Sequence, residues 1–222
     1  MKTSVKGLVE LVGHEGICLN KYKDSVGVWT TGIGATRTEI PDLASWPLDK
    51  RITIQEAFDL LTSSIKKYEF ALNKYLTNEI PQHQFDALVS WVYNVGTGYA
   101  KTATVVKLAN QHASNEQLYN AIMMYRKPKE ILGRRRKEAA LLTGGVYSNG
   151  GRALLFPVSS KGYPMYGKGK SINVWEYISH SSDHDVDVPH VELTEERVAE
   201  TRPSLVSCVL KTFNDMFKGE EV

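Results

Sequence analysis

The chain has 222 residues, 42% hydrophobic and 23% charged, enough for a packed core and unlike a disordered chain. A net charge of +2 gives no reason to expect a nucleic-acid partner. No apolar run approaches the roughly 18–20 residues that span a bilayer, and two distant cysteines, Cys18 and Cys208, make no disulfide framework and suit a reducing cytoplasm.

The first residues, Met-Lys-Thr-Ser-Val-Lys-Gly, mix charge into a weakly apolar stretch, so neither a signal peptide nor an anchor is expected there. Val5, Leu8, Val9 and Val12 recur at helical spacing and predict an amphipathic helix over about 4–13. Gly13 and Gly16 bracket its end, where Glu15 falls. A carboxylate at a helix C-terminus opposes the macrodipole, and that placement tends to raise a carboxyl pKa, as a general acid requires.

Residues 17–36 are rich in Tyr, Val, Trp, Thr and Ile and are punctuated by Lys23-Asp24-Ser25 and by glycines, which predicts two or three short antiparallel strands. Residues 37–52 hold Pro41 and Pro47 and read as a loop. Thr53 and Glu56 form a capping box ahead of a long helix reaching about Leu76. Pro81 opens the next helix, whose buried face carries Phe85, Leu88, Val89, Val92 and Val95. Further helices are predicted near 102–111 and 115–125, the second capped by Ser114 with Gln117, and near 129–143, stopped by Gly144-Gly145. No internal repeat is visible. The fold class is therefore α+β, mainly helical, with one small antiparallel sheet.

The character changes after Gly145. Residues 146–170 are rich in Gly, Ser, Tyr and Pro, residues 179–196 are polar and acidic, and residues 204–217 return to a helical pattern. The boundaries expected are a domain over 1–145 and an extension over 146–222. The aromatics Tyr147, Phe156, Tyr163, Tyr166, Trp175 and Tyr177 suit either sugar stacking or anchoring of the extension, with anchoring favoured. His180, Asp183, His184, Asp185, Asp187 and His190 include metal-ligand types, but their spacing matches no known site, and a polar loop is the better reading. The cationic run from Arg126 to Lys137 reads as a solvated helix face, although Arg135 also suits a buried carboxylate. No cofactor or metal is called for.

The chemistry concentrates in Glu15, Asp24 and Thr30. Two carboxylates and a hydroxyl on one cleft can protonate a glycosidic oxygen, activate water and hold that water. Each residue alone has an ordinary structural reason to be where it is; the combined pattern is more specific. Glu15-Gly16, Leu19, Tyr22, Asp24, Gly27, Thr30, Gly32 and Gly34 resemble the Glu-Gly-x-x-Leu-x-x-Tyr-x-Asp and Gly-x-x-Thr-x-Gly-x-Gly motifs of the bacteriophage lysozymes of the T-even and lambdoid kinds, glycoside hydrolase family 24. Phe85 to Gly96 is similar to that family's central buried helix, and Arg134-Arg135 with Glu138 to its Arg-Arg-x-x-Glu.

The resemblance covers roughly residues 4–145. It implies a two-lobed fold with a cleft between the lobes, and hydrolysis of the β-1,4 bond between N-acetylmuramic acid and N-acetylglucosamine. It also implies Glu15 as proton donor and Asp24 with Thr30 on the water, with Thr36, Tyr93 and Thr104 as cleft-lining sugar contacts. Peptidoglycan is the partner implied, for a monomer held in the host cytoplasm until a separate holin opens the membrane. The family's histidine after the last glycine of the motif is Ala35 here, which is expected to affect stability or sugar contacts rather than the chemistry. Two alternatives stay open. A lytic transglycosylase needs the acid but neither Asp24 nor Thr30, and a virion structural protein would need none of the three.

Overall fold

The computed structural model describes residues 1–25 and 27–178. The polar cluster at 180–190, the helical pattern at 204–217 and Cys208 lie outside the described residues.

Helix α1 (Val5–Glu15) starts at Ser4, whose hydroxyl accepts from Gly7 N, and ends where Gly16 turns to φ 69°. The antiparallel pair β1 (Cys18–Lys23) and β2 (Trp29–Gly32) follows, joined by a tight turn at Asp24. A loop with one short 3-10 turn, Leu43–Ser45, leads to α2 (Ile54–Tyr75). The Thr53–Glu56 capping box forms as the sequence requires, and 22 residues carry α2 about 33 Å at 1.5 Å per residue. That length links the small lobe, built on α1 and the strands, to the helical lobe.

The helical lobe is built around α3 (Gln82–Val95). Every residue from Phe85 to Val92 is buried, including Asp86 and Ser90, so α3 is enclosed on all sides by α1, α2 and the later helices. Those are α4 (Tyr99–Thr102), α5 (Thr104–Asn110), α6 (Asn115–Ile122) and α7 (Leu132–Gly144). The Ser114–Gln117 box caps α6, and Gly145 ends α7 in the left-handed conformation. Close approach of α1 and α3 rests on Gly7, where a β-carbon would fall 2.5 Å from Asp86 Cγ.

Beyond Gly145 the chain turns back onto α1. Buried Glu10 accepts from Ser148 N and Oγ and from Asn149 N, while Asn149 Nδ2 donates to Val9 O at 2.7 Å. The ribbon β3 (Arg152–Leu155) and β4 (Lys170–Asn173) then pairs antiparallel, and α8 (Trp175–Ile178) follows. Tyr177 stacks on Phe58 of α2, Tyr147 donates to Asp86 Oδ2 at 2.7 Å, and Phe156 and Tyr166 meet edge to face. Those four aromatics tie 146–178 to the rest of the molecule; Tyr163 alone of the six is substantially exposed.

His14 lies in the last turn of α1, 3% exposed, with its Nε2 3.7 Å from Glu10 Oε1. Burial, together with Arg134, Lys137 and Arg135 across on α7, holds its pKa well below 6.5. The unfolded chain therefore takes up the proton first, so the neutral-histidine contribution is full above about pH 6.5 and fades as pH falls toward the folded value. Stability is expected to drop by up to about 1.4 kcal/mol per pH unit through that window. Melting curves at pH 7.5 and pH 5 would show it, and His14→Gln should flatten the difference; an unchanged difference would remove His14 as its source.

Candidate active site

Glu15 is the last residue of α1, and the positive φ of Gly16 turns the chain sharply into β1. Its carboxylate is met from the helical lobe by Arg134, with Nη1 to Oε1 at 2.5 Å. Arg134 itself is almost wholly buried, whereas the Glu15 side chain keeps 17% of its surface exposed. The side chain is thus held by a buried cation and still partly exposed to solvent.

Behind it lies a closed network. Arg134 Nε donates to Glu138 Oε1 at 2.7 Å and Nη2 to Ser90 O at 2.8 Å. Arg135 binds the other oxygen of Glu138, donates to Asn94 Oδ1 at 2.6 Å and to Tyr125 O at 3.0 Å. Ser90 Oγ donates to Glu138 Oε1 at 2.7 Å. Two cations and two anions balance, and both oxygens of Glu138 accept hydrogen bonds, as burial of charge demands. Burial alone would pull both guanidiniums down; at Arg134 the carboxylates of Glu15 and Glu138 more than offset this and its pKa ends above the ordinary value. The cationic run therefore divides. Arg126, Lys127, Lys129 and Arg136 are exposed as the helix-face reading requires, but Arg134 and Arg135 are buried. The arginine that reaches Glu15 is Arg134, a role the sequence reading did not assign; its i,i+4 spacing to Glu138 was the available signal.

Asp24 sits at the tip of the β1–β2 hairpin. Its Oδ1 accepts from Val28 N at 2.8 Å, its own N donates to Val28 O at 3.0 Å, and its carbonyl accepts from Gly27 N at 3.1 Å. Gly27, at φ 82°, supplies the left-handed residue this turn needs. Thr30 pairs with Tyr22 across the ladder, is 4% exposed, and donates to Val28 O at 3.2 Å. Thr31 faces the other way, with its hydroxyl 3.5 Å from Cys18 O. Glu15, Asp24 and Thr30 therefore belong to one continuous unit, helix end, strand, turn and returning strand.

The other three residues are spread more widely. The Tyr93 hydroxyl donates to Ile33 O at 2.6 Å and lies so close to Gly34 that a β-carbon there would approach to 2.8 Å. Burial first, and the nearby Glu15 carboxylate next, push this hydroxyl's pKa well up. Thr36 is tied to Glu39, whose second oxygen receives Lys67 of α2 at 2.7 Å. Thr104 opens α5, exposed, in the helical lobe, and makes no side-chain hydrogen bond among the described residues. Ala35 is buried and exchanges both backbone hydrogen bonds with Thr31, so this turn closes through its backbone.

The Phage lysozyme family model matches residues 12–139. The chain belongs to the phage lysozyme family. Its resemblance to the endolysin of Salmonella phage P22 reaches 30% identity over 146 residues, 64% of this chain and 97% of the relative. With the SAR-endolysin of Haemophilus phage HP1 (strain HP1c1) it shares 34% over 161 residues, 64% of this chain and 82% of that one. Among solved structures, the endolysin from Escherichia coli O157:H7 phage FAHEc1 superposes with a TM-score of 0.59 at 28% identity, over 67% of this chain and 97% of that chain. As a phage lysozyme it is an endolysin, a glycosidase-type hydrolase that lyses the host cell.

Proposed function

We propose that this endolysin hydrolyses the β-1,4 bond between N-acetylmuramic acid and N-acetylglucosamine in peptidoglycan. The observation that carries the reading is the setting of Glu15, clamped by a buried arginine and still partly exposed to solvent. Glu15 protonates the glycosidic oxygen; Asp24, on the turn, activates water; the Thr30 hydroxyl, which can both donate and accept, orients that water. Thr36 and Thr104 serve as sugar contacts from the two lobes, and Tyr93 shapes the turn that follows β2. Residues 1–145 form the catalytic domain, and the monomer reaches the wall through a lesion made by a separate holin. No helix among the described residues is long and apolar enough to cross a membrane.

Digestion of purified peptidoglycan followed by mass spectrometry of the released muropeptides tests the bond chemistry. Reducing-end muramic acid supports hydrolysis, an anhydro-muramic end would transfer the reading to a transglycosylase, and glucosamine reducing ends would mean that the other glycosidic bond is cut.

A further inference from the structure

Residues 146–178 lie beyond the part of the chain matched by the family model, and the chemistry above gives them no task. Their path is specific. Leu154–Phe156 and Gly162 reach the two ends of the outer edge of β1, the edge that β2 does not use and that Ile52 N meets midway, at Leu19 O, 2.9 Å away. At one end Ile17 N donates to Leu154 O at 2.9 Å and Phe156 N to Ile17 O at 2.8 Å; at the other, Lys23 N donates to Gly162 O at 2.9 Å. Ile17 lies two residues after Glu15, and Lys23 immediately precedes Asp24. The extension thus grips the strand that joins the two carboxylates at both of its ends.

Phe156, at the first of those grips, is 3% exposed. With Cys18 and Tyr22 it forms a small cluster separate from the main core, rimmed by Leu154, Val158 and Tyr166. Burial in it pushes the Cys18 thiol up to about 12. One edge of the ring lies against Gly16, where a β-carbon would fall 2.7 Å from Cε2, and another against Gly169, where it would fall 2.7 Å from Cε1. The ring therefore touches the residue that follows Glu15, the first residue of β1, and the tyrosine paired with Thr30.

The hairpin needs such a support. It has only two strands, backed on the outer edge by a single bridge between Asn20 and Arg51, and its register shifts between Cys18 and Tyr22. A two-stranded ribbon is marginal alone, and a bulged strand bends. The ladder by itself does not fix how far Asp24 stands from Glu15. We infer that Phe156 is a positioning residue: its ring, wedged between Gly16, Cys18 and Tyr22, sets the bend of β1 and with it the placement of Asp24 and Thr30 relative to Glu15. Through this one ring the extension supports the hairpin from outside the catalytic domain. This inference rests on the muramidase reading, since positioning matters only if those residues do the chemistry.

The test uses the full chain carrying Phe156→Ala or Phe156→Leu. The control is Ile178→Ala, a buried site in the main core, in the same extension. Rates on soluble peptidoglycan fragments are taken well below every melting temperature, beside hydrogen exchange at the Asp24, Val28 and Trp91 amides. Misplacement of about 1 Å costs on the order of 10²-fold, so Phe156→Ala should lose about that much in kcat with KM within about twofold. Exchange at Asp24 and Val28 should quicken while Trp91, in α3, stays protected. Phe156→Leu should recover most of the rate, and Ile178→Ala should keep the wild-type kcat. Wild-type kcat in Phe156→Ala, or losses in Phe156→Ala and Ile178→Ala that simply track lost stability, would overturn the inference. If Phe156→Ala does not fold, Phe156→Leu carries the same comparison with a smaller loss. If the wild type is inactive on the fragments, the muramidase reading falls separately, and the exchange arm still decides whether Phe156 holds the hairpin.

Discussion

Glu15→Gln is expected to slow clearing of purified peptidoglycan by about 10²–10⁴-fold, the usual worth of a positioned general acid, while leaving the protein folded. The amide is nearly isosteric, and its oxygen can accept the Arg134 hydrogen bond that the carboxylate now accepts. What it cannot do is release a proton to a leaving oxygen. Arg134 stays paired to Glu138, so no buried cation is left without a partner. Circular dichroism and a melting curve beside the clearing assay separate the two effects. A folded variant with near wild-type clearing would remove Glu15 from the chemistry. It would also favour the alternative of a particle protein that keeps the lysozyme fold without using it. Asp24→Asn is the natural companion, since the amide oxygen can keep the bond from Val28 N that shapes the turn and only the ability to activate water is lost.

The second large effect is on stability. Glu138→Ala should destabilise the fold by about 3–5 kcal/mol, because it leaves two buried guanidiniums without their shared carboxylate. Against a net stability of about 5–15 kcal/mol, that is a large fraction. For a domain of this size it corresponds to a fall in melting temperature of roughly 6–20 °C. Arg136→Ala, one residue from the network but exposed, should change it by no more than about 0.5 kcal/mol. Urea titration of the two variants beside wild type measures both. Equal midpoints would mean that the network is neutral and that α7 is held by its apolar contacts alone.

Much of this architecture can be read locally. The two capping boxes at Thr53 and Ser114, the stop at Gly145 and the hairpin around Asp24 each follow from residues within a few positions of one another, so the sequence displays both partners of each interaction. The same holds for the proposed catalytic unit, whose three residues sit within 16 positions. The burial of Arg134 and Arg135 is different. The spacing to Glu138 hints at one local partner, but the rest of the difference is made by Glu15, 119 residues away in sequence, and by Ser90 and Asn94 on α3. The extension is harder still. Its strands have four residues each, too short for alternation to show, and the surfaces they complete belong to α1 and β1. Phe156 reads as one more aromatic in an irregular stretch until Gly16 and Gly169 are seen on either side of it.

The pairing of Ile17 and Lys23 with the extension also bears on solubility. A β-strand with an unused edge presents a row of free amides and carbonyls that another chain can adopt. In a chain cut at Gly145, that edge would be bare at its two ends, beside Ile17 and Lys23, while Ile52 N still binds Leu19 O between them. Self-association would then compete with folding at concentrations the intact chain tolerates. The two returns of the extension, at Leu154–Phe156 and at Gly162, thus guard the ends of that edge, and a shortened version of this endolysin would gain from charge or proline placed there.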